Sequence, residues 1–375
     1  MILHPTDPNA VAAAVAAYGL GGAGRASIPS HPETWGTLAR VLETDRLSGI
    51  ALAASDERNL AMPKAARERL AAIHADEMMW ALGLERRLGQ VLDALTRAGV
   101  TAMLLKGPVM AHLRYPDPAW RPFADLDLLV RGSDRTRASH ALADAGYAPS
   151  RPSPRPGFDD RFGKAVVHRG PTGVEIDLHR TLAQGPYVAW IDADRLWERA
   201  VPFEVAGVKT LRLDDTALLL HACVHASLGG REPNLLILRD VAASWDAPGV
   251  DWDALAALAR AWRLGSVIRR AFGLTEARLG VVPPPEAHIV WTIGSDRREL
   301  NALRSYTAPR GAGAGSDVAL LAALPGVSAR ARYAFSLLFP SRAFMQARAR
   351  SGGGAPTYRH RLTEAAHRLG HEGRV

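Results

Sequence analysis

The chain has 375 residues, enough for two or three domains with a sizeable core, and its 47% hydrophobic and 22% charged residues are typical of a globular enzyme. The net charge of +8 comes almost wholly from arginine, because only four of the 46 basic residues are lysine. A nucleic-acid partner is therefore permitted but not favoured. One cysteine excludes an internal disulfide framework. Without a signal peptide or an apolar stretch of about 18 residues, we predict a cytoplasmic protein with no membrane span.

Residues 1–99 are predicted to form an N-terminal helical region. Residues 9–62 are Ala-rich with a helical pattern that is interrupted by glycine and proline. From residue 63, apolar side chains recur near positions i, i+3, i+4 and i+7 as far as Gly99. This second pattern predicts one long helix.

Residues 100–182 are predicted to form a small mixed-sheet core. An apolar run at residues 100–105 predicts a buried strand, and Pro108 then begins a helix. Between them, Lys106 and Gly107 form a turn. Glycine lets the backbone approach a ligand closely, and the free N–H groups of a helix start suit a phosphate.

Two carboxylates alternate with leucine in the run DLDLLV at residues 125–130, which is a strand pattern. Residues two apart share one face of a strand, so Asp125 and Asp127 are predicted to point the same way. Carboxylates placed together repel each other unless a cation lies between them. Arg121 is the only basic residue close in sequence, and it has two alternative roles: a partner of Asp125 or a contact for phosphate.

A helix is predicted to follow, with Ser133 as its N-cap. Residues 164–168 and 174–178 then form two strand-like runs around a Gly-Pro-Thr-Gly turn, which predicts a hairpin. In the second run Asp177 alternates with apolar residues, as do its neighbours Glu175 and His179. A third carboxylate on a strand is thus available to join the first two.

Residues 183–306 are predicted to form a C-terminal helical domain that includes a possible short strand pair near 201–205 and 208–213. His221 and His225 lie four apart and so share one helix face, but no HExxH pattern surrounds them. A core or acceptor-pocket position is favoured over metal binding. Residues 307–375 are predicted to be a Gly- and Arg-rich helical tail.

The run LLKGPVMAHLRYPDPAWRPFADLDLLV at residues 104–130, with GVEIDLH downstream, resembles the nucleotidyltransferase superfamily with the DNA polymerase beta-like catalytic fold. More narrowly it resembles a group of uncharacterised bacterial nucleotidyltransferase family proteins. The segments LLLHACVHASLG and LLILRDVAAS are similar to the C-terminal helical region of that group. The resemblance extends over about residues 46–280.

The resemblance implies an NTP donor, Mg²⁺, transfer of a nucleoside monophosphate and release of pyrophosphate. By motif position it implies that Asp125 and Asp127 are metal ligands. Asp177 is the third carboxylate, as a metal ligand or general base, and Gly107 lies in the phosphate-binding turn. The superfamily commonly has Gly-Gly or Gly-Ser at this turn. The cation of Lys106 or Arg121 is therefore predicted to replace the missing Ser hydroxyl. Four further residues are predicted to lie behind the metal ligands or in the acceptor pocket: Glu175, His179, His221 and His225.

These observations predict an α+β enzyme with a nucleotidyltransferase core between N- and C-terminal helical regions. The expected acceptor is a hydroxyl of a small molecule, a natural-product peptide or a protein side chain. Two alternatives remain open. The same fold could transfer another phosphate-linked group, such as a sugar from an activated donor, or a degenerate core could bind nucleotide or a partner protein and act as a regulator.

Overall fold

The computed structural model describes residues 7–21, 32–57, 60–307 and 314–350. Across these ranges, α-helices surround one seven-stranded mixed sheet with the strand order β3-β4-β5-β2-β1-β7-β6. The predicted α+β class, with a small mixed sheet flanked by helical regions, is therefore confirmed.

Four helices precede the sheet: α1 (Pro8–Ala16), α2 (Pro32–Thr44), α3 (Ser48–Asp56) and α4 (Lys64–Arg97). The long helix predicted from the apolar periodicity is confirmed as α4, which has 34 residues. Gly99 has a φ of 67°, in the left-handed region that glycine adopts without strain. Its position just beyond the last helical residues ends α4 and turns the chain into the sheet.

The central elements follow in chain order: β1 (Ala102–Leu104), α5 (Pro108–Arg114), β2 (Leu126–Val130), α6 (Arg135–Asp144), β3 (Ala148–Pro149), α7 (Phe158–Phe162), β4 (Ala165–Arg169) and β5 (Glu175–His179). All five residues of β2 are buried, as expected for a strand with neighbours on both sides. It pairs antiparallel with β1 and parallel with β5. The predicted hairpin is confirmed, because β4 and β5 pair antiparallel.

The N-cap predicted at Ser133 is wrong. A 3₁₀ turn at Gly132–Asp134 precedes the helix, so α6 begins at Arg135. Ser133 lies inside that turn and not at the helix boundary. The hydrophilic sequence around Ser133 is compatible with a helix that begins directly after Ser133 or at Arg135, and the sequence pattern alone does not distinguish the two.

The sheet continues beyond residue 182, where the sequence pattern placed the end of the core. After α8 (Tyr187–Trp190) and α9 (Ala193–Glu198) come β6 (Ala200–Val205) and β7 (Val208–Leu213), which pair antiparallel and confirm the possible short strand pair. Strand β7 also pairs parallel with β1. This hairpin therefore completes one edge of the sheet.

The remaining helices are α10 (Asp215–Leu228), α11 (Leu235–Trp245), α12 (Trp252–Ala261), α13 (Gly265–Leu279), α14 (Arg297–Thr307), α15 (Ala314–Ala323), α16 (Gly326–Leu338) and α17 (Arg342–Arg350). Asp214, Asn234 and Asp251 cap α10, α11 and α12 through side-chain oxygens that accept backbone N–H groups. Of the predicted tail, residues 314–350 form three helices, and residues 351–375 lie outside the described part.

One large hydrophobic core joins the sheet to the N-terminal helices and to α10, α11 and α13. A smaller cluster of Phe162, Leu320, Leu324 and Tyr333 attaches α15 and α16 to α7. None of the helices in the described ranges combines the length and apolar character that a membrane crossing needs.

Candidate active site

The parallel pairing of β2 and β5 determines where the predicted carboxylates lie. In this register Asp127 is directly opposite Asp177, and Leu129 is opposite His179. Since alternate residues of a strand share a face, Asp127, Asp177 and His179 lie on one side of the sheet. Asp125 immediately precedes β2 and is close enough to Asp127 and Asp177 to interact electrostatically with both. We call these four residues the acidic face.

Asp127 is the most constrained residue of the acidic face. Its side chain is fully buried, with Oδ2 2.8 Å from Lys106 Nζ and Oδ1 2.8 Å from His179 Nε2. Burial alone would raise the pKa of Asp127, but Lys106 and His179 outweigh it and hold the pKa well below 3.8. At 2.8 Å from the Lys106 ammonium, Oδ2 is within hydrogen-bond distance of this cation. The partner of this oxygen is therefore the Lys106 ammonium.

The turn after β1 brings Lys106 to Asp127. The N–H of Leu105 donates to the Asp127 carbonyl at 3.1 Å, which places the following residue beside β2. Gly107 then adopts a φ of 61° and ψ of −110°, a conformation that only glycine takes readily, and Pro108 begins α5. Burial lowers the pKa of Lys106, but Asp127 and Asp125 outweigh this effect and raise it. Lys106 thus remains a cation beside the carboxylates.

Asp125 and Asp177 differ from Asp127 in their surroundings. Both are partly exposed, and neither makes a side-chain hydrogen bond within the described ranges. Burial and the charge of Asp127 raise the pKa of both residues above 3.8. The three carboxylates predicted from the sequence therefore lie together but are not equivalent. One is held ionised by cations, and two take up protons more readily than ordinary aspartates.

Three side chains of the acidic face are placed to hold a metal ion: Asp127, Asp177 and His179 have one ligand atom each, all within 4.8 Å of one another. His179 Nδ1 donates to the Thr181 carbonyl at 3.2 Å, the outer contact that ligating histidines commonly make. The 2.8 Å contact between Asp127 Oδ1 and His179 Nε2 is a hydrogen bond, which an ion held by both residues would replace.

This group differs from the predicted ligand set. It contains His179, which the sequence placed behind the ligands, and it does not contain Asp125. Metal binding by Asp125 remains a prediction. An imidazole ligand also changes the metal chemistry, because nitrogen suits Mn²⁺ or Zn²⁺ better than Mg²⁺.

Arg121 pairs with Asp240 of α11, and no ion pair joins it to Asp125 in the described residues. Its Nε lies 3.2 Å from Asp240 Oδ1 and its Nη2 lies 2.7 Å from Oδ2, while the Tyr115 hydroxyl donates to Oδ1 at 2.7 Å. Arg239 lies over the Tyr115 ring and donates to the Ala16 and Tyr18 carbonyls. We call Tyr115, Arg121, Arg239 and Asp240 the Asp240 network. Arg121 is almost fully buried within this network, whereas Lys106 is partly exposed beside the acidic face, so Lys106 is better placed than Arg121 to contact a ligand there.

The remaining predicted residues lie around the acidic face. His221 and His225 are on α10, where burial lowers the pKa of both, that of His225 to about 3. Lys106 and Asp127 act electrostatically on both rings, so α10 packs close to the site. Glu175 begins β5 and pairs at the protein surface with Arg169, whose Nε is 3.0 Å from Oε1.

Sequence reasoning missed Lys164, which immediately precedes β4. Burial lowers its pKa, and so does Lys106, while Asp127, Asp177 and Asp125 partly offset the decrease. These interactions place a second ammonium group near the acidic face. The rarity of lysine was the available signal: two of the four lysines in the chain lie here. Trp80 of α4 also contacts this region, because its indole N–H donates to the Ala124 carbonyl at 3.1 Å, directly before Asp125.

An α+β core with convergent carboxylates beside a Lys-Gly turn has the features expected of a nucleotidyltransferase. Residues 31–280 match the sequence profile of a family described as uncharacterised nucleotidyltransferases, and the chain belongs to this family. The resemblance inferred from the sequence is therefore confirmed. No protein with curated annotation matches the chain.

A solved structure of an antigenic nucleotidyltransferase-like protein from Paracoccidioides brasiliensis is similar to this chain at 15% sequence identity. The match covers 56% of this chain and 94% of that chain, with a TM-score of 0.31. Similarity at this level carries no information about substrates.

Proposed function

We propose that this protein is a metal-dependent enzyme that transfers a nucleoside monophosphate from an NTP to a hydroxyl group and releases pyrophosphate. The observation that carries the proposal is the register of β2 and β5. It places Asp127 opposite Asp177, next to the turn that holds Lys106. Clustered carboxylates with a cation beside them suit a reaction in which phosphate charge must be neutralised and oriented.

Asp127, Asp177 and His179 would hold the divalent ion, Mg²⁺ or Mn²⁺. When bound, such an ion would neutralise charge on the triphosphate and orient the α-phosphorus for attack. Lys106 lies beside Asp127 as a buried ammonium and would contact a phosphate oxygen of the donor. Gly107 leaves the backbone beside this position free of a side chain, so the donor can approach closely.

The reaction needs one base and one leaving group. The acceptor oxygen forms a bond to the α-phosphorus, the bond between that phosphorus and the bridging oxygen to the β-phosphorus breaks, and pyrophosphate leaves. The hydroxyl proton passes to a carboxylate. Asp125 suits this step, because it is partly exposed, it is not one of the three residues that would hold the ion, and burial raises its pKa toward the range useful for a general base.

We place the acceptor between the predicted catalytic core, residues 100–182, and the predicted helical domain, residues 183–306. The support is the position of α10, whose His221 and His225 interact electrostatically with Lys106 and Asp127. The acceptor class is a hydroxyl-bearing small molecule, a peptide or a protein side chain.

The test determines which phosphate of the NTP donor is transferred to the acceptor. Purified protein, Mg²⁺ or Mn²⁺ and each of the four NTPs, labelled at either the α- or the γ-phosphate, are incubated with small-molecule and protein fractions of a bacterial extract. We expect the α label to appear in an acceptor product and the γ label in pyrophosphate. Transfer of the γ label to the acceptor would mean a kinase and would contradict the proposal.

A further inference from the structure

Two ammonium groups lie near the three carboxylates of this site. Lys106 contacts Asp127 directly at 2.8 Å, and Lys164 interacts electrostatically with Asp125, Asp127 and Asp177. Other enzymes that use a carboxylate cluster for phosphate chemistry commonly place two divalent ions there, which clamp the attacking and the leaving oxygens. The number of divalent ions that the acidic face can bind therefore depends on which cation positions beside the carboxylates the two lysines already occupy.

The two oxygens of Asp127 have different partners. A carboxylate that bridges two ions gives one oxygen to each of them. Here Oδ2 faces Lys106 Nζ, and Oδ1 faces His179 Nε2. Lys106 is held in this place, because its side chain is only 17% exposed and its turn is fixed by Gly107. One side of Asp127 is thus filled by a cation that belongs to the chain.

We propose that Lys106 takes the place of a second divalent ion, so that the site holds one ion, bound by Asp127, Asp177 and His179. This inference rests on the proposed function, because it assigns the cations of that site. As a compact point charge on a flexible stem, the ammonium lies beside Asp127 and reaches a phosphate oxygen of the donor, which is the bridging role of the ion it replaces.

The test counts bound Mn²⁺ in the presence of imidodiphosphate, an analogue of pyrophosphate that resists cleavage and makes no assumption about the base. Equilibrium dialysis gives the number of ions per chain, and electron paramagnetic resonance distinguishes isolated ions from a magnetically coupled pair. We expect one isolated Mn²⁺ in the parent chain. Two coupled ions in the parent would overturn the proposal, and this measurement requires no variant.

Lys106→Ala supplies the second measurement, with Lys64→Ala as its control because Lys64 lies at the exposed start of α4. We expect Lys106→Ala to bind two Mn²⁺ with a coupled spectrum and Lys64→Ala to bind one. If Lys106→Ala still binds a single ion, Lys106 does not occupy a cation position and the proposal is wrong. The ion count needs neither acceptor nor turnover, so it can fail independently of the labelling experiment that tests the proposed function.

Discussion

The acidic face and the Asp240 network both contain buried charged groups, but only in the Asp240 network is every carboxylate paired. Asp240 receives three hydrogen bonds, from Tyr115 and from two nitrogens of Arg121, and so has a counter-charge at both oxygens. On the acidic face only Asp127 is paired, and burial and like charge raise the pKa of Asp125 and Asp177. Matched charges hold elements together, whereas unmatched charges remain available to a ligand.

This difference predicts the largest loss of stability for the Asp240 network. Asp240→Ala leaves the buried guanidinium of Arg121 without its partner, and we expect the free energy of unfolding to fall by about 3 to 5 kcal/mol. Urea denaturation of the purified variant measures it. Asp194→Ala is the control, because Asp194 is exposed and lies 3.8 Å from Arg131, so we expect at most about 1 kcal/mol there. Equal effects of the two substitutions would show that the network is not a structural anchor.

On the acidic face the main effect is expected on catalysis. Asp177→Asn keeps the shape of the side chain but removes a charge that would hold the ion, so transfer of the α label should fall by at least about 100-fold. Asp194→Asn makes the same chemical change on α9 and should leave the rate unchanged. Near-parent activity of Asp177→Asn would remove Asp177 from the catalytic machinery.

In metal-free protein, substitution of the paired carboxylate should lower the stability of the fold, whereas substitution of an unpaired carboxylate should keep or raise it. Asp127→Asn removes the counter-charge of buried Lys106, and we expect it to destabilise the fold by about 1.5 to 3 kcal/mol. Asp125→Asn removes a repelled charge, so the variant should melt at the same or a higher temperature at pH 7. Thermal melts measured side by side decide between these signs.

The pH dependence of those melts follows from the direction of each pKa. Asp127 has a lowered pKa in the folded state, so its stabilisation is present above pH 3.8 and is lost as the pH falls through the lower folded value. Asp125 has a raised pKa, so its ionisation destabilises the fold above that value. The advantage of Asp125→Asn should therefore shrink as the pH falls from 7 toward about 4. An advantage that stays constant with pH would contradict the charge-repulsion account.

Local pattern was sufficient to predict much of the acidic face. Alternation placed Asp125 and Asp127 on one face of a strand and Asp177 on another strand, because side-chain direction on a strand depends only on the spacing of residues. The long helix and both hairpins were predicted for the same reason. Their periodicity is contained within each element.

Partners distant in the chain could not be predicted in this way. His179 lies 52 positions from Asp127, and Asp240 lies 119 positions from Arg121. Both contacts depend on the parallel register of β2 with β5 and on how α11 packs, which no local pattern specifies. If Lys106 and His179 were not beside Asp127, the substitution Asp127→Asn would be expected to stabilise the protein. With these partners in place, the expected sign is reversed.

The most direct test of this contrast is the thermal shift caused by ligand in two variants. Parent, Asp177→Asn and Asp240→Asn are melted with and without Mn²⁺ plus an equimolar mixture of the four NTPs. A ligand that binds the folded state raises the melting temperature according to its affinity. We predict that Asp240→Asn melts lower than the parent but keeps the full ligand-induced shift, and that Asp177→Asn melts no lower than the parent but loses most of that shift. A full shift in Asp177→Asn, together with a lower melting temperature without ligand, would show that the acidic face holds the fold together and that the ligand binds elsewhere.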